Sequence, residues 1–169
     1  MLEFSILCLD RLNYYKSLDQ IVPHVDSLHL DIMDNTFVKN TAYTPDQVNA
    51  INYPINKHVH IMSKNINGYV DQLTDPASVS FHFEATDNCN EQIKYIRSKG
   101  FQVGLVINPE TSIEEVQEYF QSIDRIILMA VKPGYSAQKY IPSTSKKIIQ
   151  IRQLSQKLEV VIDGGMHEN

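Results

Sequence analysis

Seven short runs rich in β-branched and aliphatic residues recur along this chain, and helix-like stretches separate them. The runs are 4–8, 27–32, 55–62, 78–84, 102–107, 125–131 and 159–163. Helical stretches are expected at 10–21, 45–51, 66–73, 88–98, 112–121 and 141–157. Strict alternation of strand and helix calls for a parallel sheet joined by right-handed crossovers. Runs dominated by Val and Ile suit strands covered on both faces. Local signals agree at several boundaries. Asp10 is placed to cap the first helix, and Thr44 followed by Pro45 is a good start for the second. Ser98-Lys99-Gly100 reads as a helix end, and Ile148, Ile151 and Leu154 fall at helical spacing. Two architectures fit, an open doubly wound sheet or a (β/α)8 barrel. The first strand is not followed by a Gly-rich dinucleotide turn, which argues mildly against a dinucleotide-binding open sheet.

The chain has 169 residues, whereas such barrels rarely fall below about 200. It stops soon after the seventh run, so the expectation is one barrel domain over 1–169 that lacks the last β/α unit. With 20 acidic against 15 basic residues, the net charge is -5. That excludes a general phosphate-backbone binder, and no nucleic-acid partner is expected. No apolar run is long enough to span a membrane, and the short run 4–9 lacks the basic flank of a signal peptide. Two cysteines, Cys8 and Cys89, without a CxxC motif fit reduced thiols in a cytoplasmic protein.

Polar side chains collect at the C-terminal ends of the runs. Alternation along a strand puts His29, Asp31 and Met33 on one face, then His58, His60 and Met62, then His82 and Glu84, with Asp163 ending the last run. In a barrel these ends form the mouth, where catalytic groups are found. Any one of these histidines alone reads as a hydrogen-bonded core residue, and the methionines read as gap fillers. Jointly, two imidazoles and two carboxylates suit a divalent transition metal, so spacing leaves both readings open.

These residues carry a resemblance to the ribulose-phosphate 3-epimerase family over essentially the whole chain. The strongest block is His29-Leu30-Asp31-Ile32-Met33-Asp34 followed by Phe37-Val38-Lys39-Asn40. His60-Ile61-Met62, His82-Phe83-Glu84-Ala85, Asn108-Pro109-Glu110-Thr111, the segment from Met129 to Tyr140, and Asp163-Gly164-Gly165 follow in the family's order. The resemblance implies a (β/α)8 barrel and a cytoplasmic, metal-dependent isomerase of the pentose phosphate pathway. Its substrate would be a sugar phosphate, ribulose 5-phosphate, inverted at C3 to xylulose 5-phosphate through an enediolate. It implies His29, Asp31, His60 and Asp163 as ligands of a divalent ion (zinc, iron, manganese or cobalt). It makes Asp31 and Asp163 the acid/base pair. Substrate would meet Cys8, His60, Gly134, Tyr135, Ser136, Ala137, Asp163, Gly164 and Gly165. Met33, Met62 and Met129 would line the reacting carbons. The family commonly forms homo-oligomers.

Several positions depart from the family pattern. Cys8 replaces a Ser that contacts substrate and is closer to the allulose 6-phosphate 3-epimerase branch; a small buried residue is the alternative. Asn35 replaces a Gly, a change a left-handed turn tolerates. Ser136 and Ala137 replace two lid glycines, with a cost of about 1 kcal/mol for Ala at positive φ. His58 is an extra imidazole, expected to pack behind His60. The missing eighth unit leaves a non-catalytic relative that binds metal or sugar phosphate as a further alternative.

Overall fold

The computed structural model describes residues 1–9, 13–135 and 137–166. One parallel sheet of seven strands runs in the order β1-β2-β3-β4-β5-β6-β7. The strands are β1 Glu3–Ser5, β2 Ser27–Met33, β3 Asn56–Met62, β4 Ser78–His82, β5 Gln102–Ile107, β6 Arg125–Met129 and β7 Glu159–Asp163. Each pairs with the next in sequence, so every crossover has the same sense, as in a TIM barrel whose sheet has curled but not closed. No eighth strand is present among the described residues.

Alternation divides every strand between two environments. Leu28, Leu30, Ile32, Val59, Ile61, Val79, Phe81, Val103, Leu105, Ile126 and Leu128 point outward into the main core beneath the helices. Phe81 and Leu105 are wholly buried there, and a fully buried side chain of this kind stabilises by about 1.5–3 kcal/mol. The residues between them face inward, and most are polar: His29, Asp31, His58, His60, Ser80, His82 and Arg125 are all buried. Barrel interiors are ordinarily packed with branched aliphatic side chains. Here only a small cluster around Val106, Ile127 and Met129, and another around Met33, Val38 and Met62, meets that description.

The helices are α1 Tyr14–Ile21, α2 Pro45–Asn49, α3 Ile66–Val70, α4 Cys89–Ser98 and α5 Ser143–Leu154. A capping box starts α2: Thr44 Oγ1 accepts from Gln47 N while Gln47 Oε1 accepts from Thr44 N. Asn88 caps α4 by accepting from Glu91 N.

Four details depart from the sequence reading. β1 stops at Ser5, because the Ser5 hydroxyl accepts from Leu7 N and turns 6–8 into a 3-10 turn. β4 likewise ends at His82, followed by a 3-10 turn over Phe83–Ala85. The stretch 112–121 keeps its buried face of Ile113, Val116 and Phe120. Its bonds, however, are mainly of the tighter i to i−3 kind, and only Gln117–Tyr119 is helical, as 3-10. β-branched residues at 113 and 116 favour that outcome. Leu154 ends α5 exposed rather than packed. The expected cap Asp10 lies outside the described residues.

Candidate metal centre and barrel mouth

β2 and β3 are paired with Asp31 beside His60 and His29 beside His58. This register brings His29, Asp31 and His60 together, and β7 delivers Asp163 to the same point. His29 Nε2 lies 3.3 Å from Asp31 Oδ1, 3.6 Å from Asp163 Oδ2 and 3.3 Å from His60 Nδ1. His60 Nδ1 lies 3.2 Å from Asp31 Oδ1 and 3.4 Å from Asp163 Oδ2. Each residue offers one ligand atom, and all four atoms fall within 4.8 Å of one another.

The donor set fits a divalent transition ion. Tetrahedral bonds of about 2.0–2.1 Å require donors about 3.3–3.4 Å apart, and the separations that involve His29 and His60 lie near that value, from 3.2 to 3.6 Å. Charge agrees. Burial works against protonating His29, but Asp31 and Asp163 outweigh it and raise its pKa well above the usual value. His60 is raised in the same way, by Asp163 and Asp31 against burial. Burial would lift the pKa of both carboxylates, yet His29 and His60 hold Asp31 and Asp163 below the usual carboxylate range. The four groups thus favour one another's charged forms, and a divalent cation held there would take the place of the two ring protons.

Each member is held from behind. Asp31 Oδ2 accepts from the Ser5 hydroxyl at 3.0 Å. His60 Nε2 meets His82 Nε2 at 2.9 Å, and His82 Nδ1 faces Glu84 Oε2 at 3.4 Å. Glu84 in turn accepts from Asn108 N and from the Thr111 hydroxyl. His29 Nδ1 lies 3.4 Å from Glu3 Oε2. Below that point sits an ionic layer. Glu3 Oε1 is 2.5 Å from His58 Nδ1 and 2.7 Å from Arg125 Nη1, and Arg125 Nη2 is 3.0 Å from Glu159 Oε2. Burial would raise the Glu3 carboxyl, but His29, His58 and Arg125 hold it well below the ordinary range. His58 is thus packed behind the group, as expected. The sequence reading missed Glu3, Ser5 and Arg125. Their signal was period 2 in β1, which puts Glu3 and Ser5 on one face, and an arginine opening an otherwise apolar strand.

A cavity of about 310 Å³ opens above His29, Asp31 and Asp163. Its walls include Cys8, Met33, Met62, Met129, Gly134, Tyr135, Ala137, Gly164 and Gly165. The three methionines are almost wholly buried. Cys8 is exposed at the rim, so the buried alternative does not hold for it. His60 is wholly buried and turns Nδ1 toward the ligand group without lining the cavity. Ser136 lies outside the described residues.

The loop after β6 is tied to the loop after β2. Asn40 Nδ2 donates to Gly134 O and the Tyr135 hydroxyl donates to Lys39 O, each at 2.7 Å. Asn35 takes φ 67° and Ala137 takes φ 58°, both left-handed, as the replacements of glycine required. At Gly164 a Cβ would stand 2.3 Å from Val131 Cγ2, and at Gly165 2.6 Å from the Tyr140 backbone. Only glycine fits there, so that wall of the cavity is bare main chain. A separate groove of about 390 Å³, walled by Tyr14, Tyr15 and Tyr43, shares none of these residues.

Fold and site together define a TIM-barrel protein with a two-histidine, two-aspartate group at the C-terminal ends of its strands. The chain belongs to the ribulose-phosphate 3-epimerase family, whose model, described as Ribulose-phosphate 3 epimerase family, matches residues 1–169. It is 36% identical over 151 residues to the ribulose-phosphate 3-epimerase of Chlamydia muridarum, covering 83% of this chain and 66% of that protein. It is 31% identical over 170 residues to that of Schizosaccharomyces pombe, covering 96% of this chain and 75% of that protein. The chain thus spans just under two thirds of the Chlamydia muridarum protein. Among solved structures, tryptophan synthase subunit alpha from Legionella pneumophila str. Paris superposes with a TM-score of 0.62 over 97% of this chain and 71% of that one. At 12% identity that likeness concerns the fold alone. No helix among the described residues is long and apolar enough to cross a membrane.

Proposed function

We propose that this chain is a ketose-phosphate 3-epimerase that interconverts ribulose 5-phosphate and xylulose 5-phosphate with Asp31 and Asp163 as its acid/base pair. One observation carries the reading. Two carboxylates from separated strands, β2 and β7, meet the same pair of imidazoles at the floor of a methionine-walled cavity. Family membership over the whole chain agrees with it.

Inversion at C3 breaks the C3–H bond, and its electron pair moves into the C2–C3 bond while negative charge gathers on the C2 oxygen. Asp31, held by Ser5, takes the proton from one face. Asp163, which must carry a proton when the substrate enters, gives it to the opposite face. The pair ends with Asp31 protonated and Asp163 ionised, and the reverse reaction exchanges the two roles. A divalent ion held by His29, Asp31, His60 and Asp163 supplies electrostatic stabilisation of that developing oxygen charge. Met33, Met62 and Met129 keep water away, which strengthens every charge interaction inside the cavity. The bare main chain at Gly164 and Gly165, with Gly134 across the cavity, suits a phosphate, which backbone N–H groups bind well. No arginine cluster is needed for that.

The test is turnover of ribulose 5-phosphate by the purified chain with divalent metal added, compared with Asp31→Asn and Asp163→Asn. Loss of at least 100-fold in kcat for each variant is expected from removal of a general acid or base. Near-normal turnover in either would overturn the two-base reading. Cys8 on the cavity rim favours allulose 6-phosphate as the second reading, and the ratio of kcat/KM on the two sugars decides between them. A homo-oligomer belongs to the same family reading and is checked by light scattering.

A further inference from the structure

The ionic layer beneath the candidate metal centre is costly. Charged groups withdrawn from water lose more solvation than a pair regains unless their geometry is good, and apolar replacements of similar volume are often as stable. His58 and Arg125 are nonetheless buried in the barrel interior, and the Glu3 side chain beside them is only 10% exposed. Aliphatic side chains would pack there without that cost. The division of labour on the Glu3 carboxylate accounts for them. Oε1 takes both lower partners, Arg125 Nη1 at 2.7 Å and His58 Nδ1 at 2.5 Å. Oε2 is left for one partner above, His29 Nδ1 at 3.4 Å. Arg125 is fixed in turn by Glu159, its register neighbour on β7.

An imidazole binds a cation through one nitrogen only when that nitrogen carries no proton, and its tautomer is set by what the other nitrogen meets. His29 Nε2 is the atom that faces Asp31, Asp163 and His60. A carboxylate opposite Nδ1 accepts its N–H, keeps the proton there and leaves the Nε2 lone pair for the ion. His60 does not receive this service: its rear partner is another imidazole, His82.

We infer that Glu3, clamped by Arg125 and His58, is a positioning residue that fixes the ring and tautomer of His29 for divalent-metal binding. The role rests on the proposed metal reading and deepens it. Glu3 borders the floor of the cavity, and it reaches the ligand group through His29 Nδ1.

The experiment measures zinc affinity of the purified chain by competition with a chromogenic chelator, for the unmodified protein, Glu3→Ala, Glu3→Gln and Ile126→Val. The last is a core variant that lowers the melting temperature without touching the ionic layer. Glu3→Ala is expected to weaken zinc binding by about 10–100-fold. Glu3→Gln, which keeps an acceptor oxygen, is expected to recover part of that loss, and Ile126→Val to bind as the unmodified chain does. Zinc affinity unchanged in Glu3→Ala, or lowered equally in Ile126→Val, would overturn the positioning role while leaving the metal reading intact. No zinc binding by the unmodified chain would overturn the metal reading itself. Should Glu3→Ala fail to fold, Glu3→Gln decides the matter. A carboxamide oxygen is a weaker acceptor than a carboxylate, so zinc affinity below that of the unmodified chain is expected, and equal affinity in the two would refute the inference.

Discussion

His60 and His82 face each other nitrogen to nitrogen, Nε2 to Nε2 at 2.9 Å, with ring planes 26° apart. One of the two must donate and the other accept. Burial, with the nearby charge of His60 adding to it, drives the His82 pKa down to about 4 despite the opposing pull of Glu84. His82 is therefore the neutral partner. Replacing it by Phe keeps the volume but leaves a buried His60 nitrogen without a partner, a loss of about 1–3 kcal/mol. His82→Gln, which retains a polar end, should lose less. Urea denaturation of both variants checks the order, and equal losses would show that the contact contributes only packing.

Lys147 is nearly buried in α5, and its ammonium donates to three carbonyls, those of Asn108, Pro109 and Thr111, at 2.9, 2.8 and 2.6 Å. One side chain thus bolts the loop after β5 to α5. Lys147→Met preserves the stem and strips all three donors from buried acceptors. A stability loss of about 2–3 kcal/mol is expected for hydrogen bonds of a charged group, read as a lower denaturation midpoint. Hydrogen exchange should rise first in 108–111.

Glu84 gives a signed pH effect. Burial raises its carboxyl pKa, but His82, the Thr111 hydroxyl and Asn108 N–H outweigh burial and bring it below the usual value. A group whose folded pKa is depressed contributes stability above its unfolded pKa, near 4.5, and loses it as pH falls through the folded value. Glu84→Gln should accordingly be less stable than the parent at pH 7, and the gap should narrow below pH 4.5. A gap that stays constant to pH 3 would contradict this account.

Ala137 holds φ 58° in the loop that the family pattern fills with glycine. A left-handed non-glycine residue costs about 1–2 kcal/mol, and glycine returns about 0.5–1 kcal/mol of that through a more flexible unfolded chain. Ala137→Gly should gain about 0.5 kcal/mol, seen as a small rise in melting temperature. A fall would show that the loop takes a different path in solution.

The succession of strands and the polar face of β2 and β3 could be read from the sequence, because a period of 2 is visible without knowing the neighbours. The barrel order of the strands came from the family resemblance. His29, Asp31, His60 and Asp163 could be grouped at the strand ends, but spacing left a packed-core reading open, and only the family resemblance gave them a joint role. Asn35 and Ala137 fell at left-handed positions because the family pattern has glycine there. What could not be read was which groups meet across the barrel. Glu3 on β1 and Arg125 on β6 are far apart in the chain, and only sheet curvature brings them to 2.7 Å. Ends of strands were also misjudged where a side-chain hydroxyl, Ser5, redirects the backbone. Hydrophobic pattern does not encode such a local competition.

β7 is the least buried of the six longer strands, half-exposed at every position, and it carries Asp163 at its tip. The other three members of the ligand group stand on β2 and β3, at the opposite end of the sheet. An ion shared among them would therefore act as a cross-link that staples the last strand to the first third of the chain, closing a very long loop in the way that confers most on the folded state. Ion retention and strand docking become one equilibrium: whatever peels β7 away releases the cation, and whatever strips the cation loosens β7.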